Sequence, residues 1–269
     1  MSANTNAPAP ENPELVIRKL NDQITIFSAP FARGGFLPIG GRSTAVTLKD
    51  GSLWLIPSHA LDPQTLTTIQ SLAQGGPGVK HLVAPDREHN MFLTQYQAAF
   101  PEAKLYVPQG VKEAWSKKGS GKEELVRHIS HVFDGKSPCP FEETTGGEIK
   151  SVDFGKSHAN EDVAFLHVPT KTLIEADLLF NLPPTEQYSK SKKKSHVPFL
   201  SGGLTAGGVG HKRMLWYLVG KDRVAMAKHA KEVAAWDFDR IIPCHGDVIE
   251  TNGKAVWNEL YKWFIEGKH

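Results

Sequence analysis

The stretch Val83-Ala84-Pro85-Asp86-Arg87-Glu88-His89 directly follows the apolar segment Val79 to Val83, which has the composition of a buried β-strand. Three of its side chains carry metal-donor atoms: Asp86, Glu88 and His89. A loop that leaves a strand end can turn all three toward one point, where a hard or borderline cation accepts oxygen and nitrogen donors. The stretch therefore predicts a metal site, although an ordinary solvated turn has the same composition.

The surrounding segments predict an alternation of strands and helices. Ser52 to Ile56 is a compact apolar strand, and Asp62-Pro63 has the pattern of an N-cap followed by proline at the first helical position, which opens a helix to about Gln74. Residues 90–100 have helical periodicity. The other predicted strands are 15–17, 24–28, 43–47, 104–107, 147–153, 163–168, 172–175 and 239–243, and the other predicted helices are 109–117, 212–219, 222–235 and 255–266. This alternation predicts a layered α/β fold, in which functional groups gather at strand ends.

Length and composition predict one domain. A chain of 269 residues that is 40% hydrophobic buries a substantial core. Residues 1–13 are rich in Ala, Asn and Pro and lack the basic and apolar regions of a secretory signal, so we expect a disordered lead before a single domain at residues 14–269. The long loop-like segment 182–210 is expected to form a lid or a wall of the substrate site.

The charge balance excludes two classes of partner. The formal net charge is +2, from 31 basic and 29 acidic residues, which gives no global field that would attract nucleic acid or an anionic membrane. No window approaches the roughly 18 to 20 consecutive apolar residues that cross a bilayer. The expected partner is therefore a small-molecule substrate. Cys139 and Cys244 lie far apart, which argues against a disulfide framework and favours a reducing, cytoplasmic location.

Two further strand ends carry possible metal donors. The strand at 172–175 is followed by Ala176-Asp177-Leu178-Leu179-Phe180, in which an acid stands between apolar neighbours. Burial of an unpaired charge costs several kcal/mol, so Asp177 is expected to have a cation or a hydrogen-bond donor as its partner. The stretch Ile241-Ile242-Pro243-Cys244-His245-Gly246-Asp247 places a histidine after another strand. A single histidine in such a position is more often a hydrogen-bonded core residue than a ligand.

Together these motifs resemble the metallo-β-lactamase superfamily. The loop at 86–89 is followed in order by His158 in Gly155-Lys156-Ser157-His158-Ala159-Asn160, by Asp177 and by His245. Asp177 lies 19 positions after His158, and His245 lies 68 positions after Asp177. Both separations are typical of that family. The order of elements agrees from about residue 24 to residue 266. The resemblance implies an αββα sandwich of two mixed sheets flanked by helices, with one or two zinc ions, or iron, bound at one sheet edge.

The first metal motif of that family reads His-x-His-x-Asp-His, and this chain departs from it. When the last histidine is matched to His89, the other three ligand positions hold Ala84, Asp86 and Glu88. Ala84 cannot bind a metal, and Glu88 is longer by one methylene than the aspartate of the family. The altered motif indicates a divergent branch of the superfamily, distinct from the β-lactamases, glyoxalases and nucleases proper.

The resemblance implies six metal ligands: Asp86, Glu88, His89, His158, Asp177 and His245. Asp177 would bridge two metal positions. Besides Asp177, the first position has only Asp86 and His158 as ligands. The second position retains the other three ligands and is the more complete. If only one ion is bound, it is therefore expected at the second position.

Three functions remain open. The first is a metal-dependent hydrolase, in which the cation activates a water molecule and Asp86 or Glu88 is the general base. The second is a carboxylate-rich iron oxidoreductase, since the superfamily includes diiron enzymes whose ligands mix His with Glu and Asp. The third is a metal-free, non-catalytic binding protein on the same fold. His59 also has two interpretations, because it either supports the site or caps the helix after Asp62.

Overall fold

A seven-stranded sheet is built from the first half of the chain in the computed structural model, which describes residues 9–196 and 201–267. Its strands, in spatial order, are β1 (Val16–Lys19), β2 (Ile24–Ala29), β5 (Gly41–Thr47), β6 (Leu53–Ile56), β7 (Val79–Val83), β8 (Lys104–Pro108) and β9 (Ile129–Phe133). The pairs from β1 to β6 are antiparallel and those from β6 to β9 are parallel. Between β2 and β5 the chain forms a small hairpin of β3 (Ala32–Arg33) and β4 (Leu37–Pro38).

A four-stranded sheet follows within the same described residues. Its strands, in spatial order, are β10 (Ile149–Asp153), β11 (Val163–His167), β12 (Thr172–Glu175) and β13 (Arg240–Pro243). The strands β12 and β13 are parallel, and their last residues, Glu175 and Pro243, are partners in the register. The two strands therefore end at the same level of the sheet. Asp177 and His245, each two residues beyond its strand end, are thereby brought to one edge of the sheet.

Helices cover the outer faces of both sheets. They are α1 (Pro63–Leu72), α2 (Leu93–Ala99), α3 (Gln109–Trp115), α4 (Glu123–Val126), α5 (Phe141–Thr144), α6 (Val209–Met214), α7 (Arg223–Ala235), α8 (Gly253–Leu260) and α9 (Lys262–Glu266). The helices α1 to α4 pack on the first sheet, and α7 to α9 pack on the second. The predicted αββα sandwich is thereby confirmed. Within the described residues, none of these helices has both the length and the apolar character needed to span a membrane.

An apolar layer also lies between the two sheets. Trp54 of β6 and Phe165 of β11 meet edge to face, with ring centroids 5.1 Å apart, and Phe141 of α5 lies 6.0 Å from each of them. All three side chains are buried. Burial of a large apolar side chain contributes roughly 1.5–3 kcal/mol to the stability of the fold. These three aromatic side chains therefore contribute substantially to the packing of one sheet against the other.

Several element boundaries differ from those predicted by sequence pattern. The strand β9 lies in a region for which no strand was predicted. Its adjacent polar residues Ser130 and His131 interrupt the apolar pattern of a strand. The predicted closing helix at 255–266 is divided into α8 and α9 at Tyr261. The predicted helix at 212–219 ends in a π-helical turn at Leu215–Val219. By contrast, Asp62 caps α1 as predicted, because its Oδ1 accepts the Thr65 N–H at 2.7 Å.

The chain before β1 is tied to the body of the protein where the structure describes it. The Ala9 N–H donates to the Leu61 carbonyl at 2.9 Å, and the Asn12 N–H donates to Asp62 Oδ2 at 3.2 Å. Most of the predicted disordered lead, residues 1–8, lies outside the described residues. The lead at 1–13 and the single domain at 14–269 stay predictions.

His59 connects the first sheet to the helix that follows it. Its Nε2 is 2.8 Å from Thr65 Oγ1 in the first turn of α1, and its Nδ1 contacts the hydroxyl of Ser43 in β5. The ring also stacks on Phe27, with centroids 5.7 Å apart. Burial lowers the pKa of His59 to about 4, and the negative charge of Asp62 opposes this only in part. His59 was predicted either to support the metal site or to cap the helix after Asp62. These contacts favour the second interpretation, in which His59 anchors α1.

This pKa predicts a loss of stability in acid. Between a pH of about 6.5, the ordinary pKa of histidine, and a pH of about 4, the unfolded chain binds a proton at this residue that the folded protein does not. The free energy of unfolding therefore falls with decreasing pH in this window, by up to about 1.4 kcal/mol per pH unit for one such group. The variant His59→Gln is expected to show a flatter dependence by this amount in urea unfolding at several pH values. An unchanged slope would show that His59 takes up its proton equally well in the folded protein.

Candidate metal centre

The candidate donors come from chain segments that leave strand ends of both sheets. Asp86 and His89 follow β7 of the first sheet, whereas Asp177 and His245 follow β12 and β13 of the second. His158 follows the 3-10 turn Gly155–Ser157 between β10 and β11. Because the sheets face each other, these segments meet at one edge of the sandwich, next to the inter-sheet core.

Two imidazoles face each other at the middle of the site. His89 Nε2 and His245 Nε2 are 3.1 Å apart. His245 Nδ1 is 2.6 Å from the Gly40 carbonyl, which can only accept, so this nitrogen carries a proton. His89 Nδ1 is 2.9 Å from both oxygens of Asp86 and donates to that carboxylate. In the neutral tautomers that these contacts select, both Nε2 atoms present lone pairs, which repel at 3.1 Å unless a proton or a cation lies between them.

The ring of His245 is held between two aromatic side chains. Phe180 stacks on one side, with centroids 5.1 Å apart and planes inclined by 15°, and Phe31 stacks at 6.3 Å with an inclination of 20°. This packing and the bond to Gly40 fix the direction of Nε2.

Asp177 completes this arrangement from β12. Its Oδ1 lies 3.3 Å from His245 Nε2, and its Oδ2 accepts the Asn160 Nδ2–H at 2.6 Å. Oδ1 is buried and has no hydrogen-bond partner within residues 9–196 and 201–267. Burial raises the pKa of Asp177, but the imidazoles of His89 and His245 lower it more, so its pKa lies well below the usual range.

The two facing imidazoles respond to the surrounding negative charge. Burial lowers their pKa, but Asp86 opposes this at His89, and Cys244 and Asp177 oppose it at both rings. The net effect raises the pKa of His89 well above its ordinary value and also raises that of His245. The surroundings therefore attract positive charge to the space between the two rings.

His158 is buried beside Asp177 but differs in its proton position. Its Nδ1 accepts the Asn160 N–H at 3.3 Å, so a neutral ring carries its proton on Nε2. That Nε2 is buried and has no partner among the described residues. Burial lowers the pKa of His158 to about 4, against the opposing charges of Asp177 and Asp86. In this tautomer His158 is a hydrogen-bond donor at Nε2.

The two acids proposed as catalytic residues take different positions. The fully buried Asp86 accepts the backbone N–H groups of Glu88 and His89 at 2.8 and 2.7 Å through Oδ1. This turn directs His89 inward and Glu88 outward. The side chain of Glu88 is 54% exposed and lies 3.9 Å from Arg33 Nη2. The structure thus separates Glu88 from the donors with which the resemblance grouped it.

Two overlapping groups of donors have the spacing of metal ligands among the described residues. One consists of His89, Cys244 and His245, and the other of Asp86, His89 and Asp177, with the donor atoms of each group within 4.8 Å of one another. Sequence reasoning did not identify Cys244 as a donor, although it directly precedes His245. Burial raises the pKa of its thiol, but the imidazoles of His89 and His245 lower it to about 7 overall.

Two buried side chains that sequence reasoning also missed fix the turn carrying His245. Arg42 Nη1 donates to the Pro243 and Gly246 carbonyls at 2.5 and 2.8 Å. Gln187 Nε2 donates to the Cys244 carbonyl at 2.8 Å, and its Oε1 accepts the Gly246 N–H at 2.9 Å. No local pattern identifies these residues, because each acts on a turn far away in the sequence.

A cavity of about 150 Å³ opens beside the two imidazoles. Its walls include the apolar side chains of Phe31, Ile39 and Met91, and Arg33 and Glu88 supply charges. The segment 182–210 was expected to form such a wall, but none of its described residues lines this cavity. Instead, the β3–β4 region and the loop after β7 shape it.

Comparison with known proteins identifies the fold. Residues 36–200 match the model of a protein family described as Domain of unknown function (DUF4336). No curated protein matches the sequence. A metallo-β-lactamase from Pontibacter korlensis has 12% identity and a TM-score of 0.57 over 93% of this chain and 98% of that chain. A metallo-β-lactamase from Erythrobacter litoralis has 12% identity and a TM-score of 0.59 over 93% and 96%.

A flavo di-iron protein from Thermotoga maritima, in a point variant, is similar as well. It has 13% identity and a TM-score of 0.62 over 94% of this chain and 62% of that chain. Identities this low establish the fold alone. The metallo-β-lactamase fold that the motifs predicted is therefore confirmed, in a divergent form.

Proposed function

The chain belongs to the family described as Domain of unknown function (DUF4336), and on this premise we propose that it is a metal-dependent hydrolase that acts on a small molecule. One observation carries the proposal: His89 Nε2 and His245 Nε2 face each other at 3.1 Å, beside a buried carboxylate oxygen of Asp177. Such an arrangement is the donor set of a borderline cation such as zinc.

The residues present fit one such ion. The two imidazole nitrogens would donate their lone pairs to such an ion, which would remove the repulsion between them. Asp177 Oδ1, which is buried with no hydrogen-bond partner in the described part of the chain, would be the third donor. Asp86 is hydrogen-bonded to His89, and His158 holds a proton on Nε2 in the tautomer that its contact with Asn160 selects, so both would have to change their bonding to serve a second position. We therefore propose one ion rather than two.

The remaining residues of the site orient the donors. Asp86 and the Gly40 carbonyl hold the Nδ1 protons of His89 and His245, which fixes the tautomers and directs both Nε2 atoms inward. Residues of this kind, which contact a ligand without binding the metal, commonly affect metal affinity by about 10- to 100-fold. Asn160 performs the same task for Asp177 through its bond to Oδ2.

The proposed chemistry is hydrolysis. A zinc ion at such a centre polarises a carbonyl or phosphoryl oxygen and lowers the pKa of bound water toward neutrality. Glu88 lines the cavity and is not bonded to an imidazole, so it is the proposed proton acceptor. The apolar side chains of Phe31, Ile39 and Met91 in the cavity wall can contact the apolar part of a small substrate.

Metal analysis and an activity assay test this proposal. Protein purified without chelator is expected to contain close to one zinc per chain and to hydrolyse at least one chromogenic ester, lactone or phosphodiester. Chelator should abolish the activity, and zinc should restore it. Iron in place of zinc, with redox activity and no hydrolysis, would support the oxidoreductase alternative. Absence of any metal, with a thermal stability that chelator leaves unaltered, would exclude both and leave the metal-free binding protein.

A further inference from the structure

We propose that Cys244 is an additional ligand of this centre, so that the ion is bound by a thiolate sulfur together with the imidazoles of His89 and His245. The inference rests on the proposed function, because it assumes that the centre holds an ion. It adds a residue that neither the motif nor the family resemblance assigns, and it narrows the class of metal.

The positions of the donor atoms support this assignment. Two nitrogens bound to one tetrahedral zinc at the usual bond lengths are about 3.3 Å apart. His89 Nε2 and His245 Nε2 are 3.1 Å apart. Cys244 Sγ lies within 4.8 Å of donor atoms of both histidines. Small side-chain rotations are therefore enough to bring the three atoms around one ion.

The thiol of Cys244 has two polar neighbours among the described residues, the Arg42 carbonyl and the imidazole of His89. Its S–H donates to the Arg42 carbonyl at 3.5 Å, a weak bond because a thiol is a weak donor. The backbone of Cys244, by contrast, is fixed on both sides, because its N–H donates to the Glu175 carbonyl at 3.1 Å and its carbonyl accepts from Gln187. The turn thus holds the sulfur beside the imidazoles.

A sulfur donor narrows the choice of metal. Thiolate is a soft ligand that favours zinc, cobalt or iron over magnesium, calcium and manganese. With Asp177 the centre would have four protein donors, so binding of the attacking water would require expansion to five-coordination, which catalytic zinc reaches in some transition states. The inferred centre is therefore a zinc-type site and is unsuited to magnesium.

Cobalt(II) spectroscopy tests the assignment on the full chain after removal of its metal. A thiolate ligand produces intense charge-transfer absorption in the near ultraviolet, whereas tetrahedral or five-coordinate cobalt produces visible bands with any donor set. Wild-type protein is expected to show both. Cys244→Ser should keep the visible bands, lose the near-ultraviolet band and bind cobalt at least about tenfold more weakly.

The other cysteine supplies a matched control. Cys139 is partly buried and belongs to neither donor group, and the chain has only two cysteines. Cys139→Ser should therefore keep both absorptions. In that variant any near-ultraviolet band must come from Cys244, so the assignment does not depend on the folding of Cys244→Ser.

The outcomes separate this inference from the proposal on which it rests. Visible bands without a near-ultraviolet band in wild type would overturn the role of Cys244 and leave the histidine centre intact. Loss of the near-ultraviolet band in Cys139→Ser would overturn it as well. Absence of both absorptions in wild type would overturn the metal centre and, with it, the thiolate ligand.

Discussion

Replacing His245 with alanine is expected to weaken zinc binding by at least about 100-fold and to leave the purified protein almost free of metal. The variant removes one of the two nitrogens that face each other at 3.1 Å. His89 remains oriented by Asp86 but has lost its partner across the site. Isothermal titration of metal-depleted protein with zinc measures the affinity, and elemental analysis measures the metal that is retained on purification.

The chain offers a matched control for this variant. His167 is as deeply buried as His245, but it lies in β11 and contacts Thr170 at 2.8 Å through Nδ1, away from both donor groups. His167→Ala is expected to lose stability and to keep its metal. Retention of zinc by His245→Ala would contradict the proposed centre, and an equal loss in both variants would show that the effect comes from impaired folding.

Asp177→Asn is expected to remove most of the stabilisation that metal gives to the folded protein. At a free metal concentration of about 1,000 times Kd, binding raises the free energy of unfolding by about 4 kcal/mol. If the amide lowers the affinity by about 100-fold, the same concentration contributes only about 1.4 kcal/mol. Chemical unfolding with and without chelator measures this difference directly, and it does not depend on the stability of the metal-free variant.

A second acid distinguishes loss of a ligand from loss of a buried charge. Asp153 is partly buried, and burial raises its pKa, but it accepts the N–H groups of Gly135 and Gly155 outside the centre. Asp153→Asn should therefore show the full effect of chelator. If chelator changes the stability of Asp177→Asn as much as that of wild type, Asp177 is not a metal ligand.

Much of the fold could be predicted from local patterns. The strands β7 and β12 have the predicted limits, because each is a short segment with β-branched and other apolar residues, bounded by polar or turn-forming residues. The cap of α1 also follows from neighbouring residues, since Asp62 and Pro63 act within one turn. Where the pattern is weak, as in the polar edge strand β9, only pairing with β8 defines the element.

The direction of the side chains could not be predicted in the same way. Glu88 and His89 are adjacent, and either fits a metal motif by residue type. The turn stabilised by Asp86 directs one of them inward and the other outward. The resemblance therefore placed Glu88 among ligands from which the folded loop separates it.

The sequence by itself determined the layered α/β sandwich and the strand ends that carry His89, Asp177 and His245, because apolar periodicity and turn chemistry act over a few residues. Only the tertiary structure decided that these groups converge, that Cys244 joins them, and that Arg42 and Gln187 fix their geometry. The physical reason is separation along the chain: His89 and His245 are 156 positions apart, and Arg42 reaches the Pro243 carbonyl across 201. Such contacts arise only once two sheets have packed face to face, and no local pattern contains them.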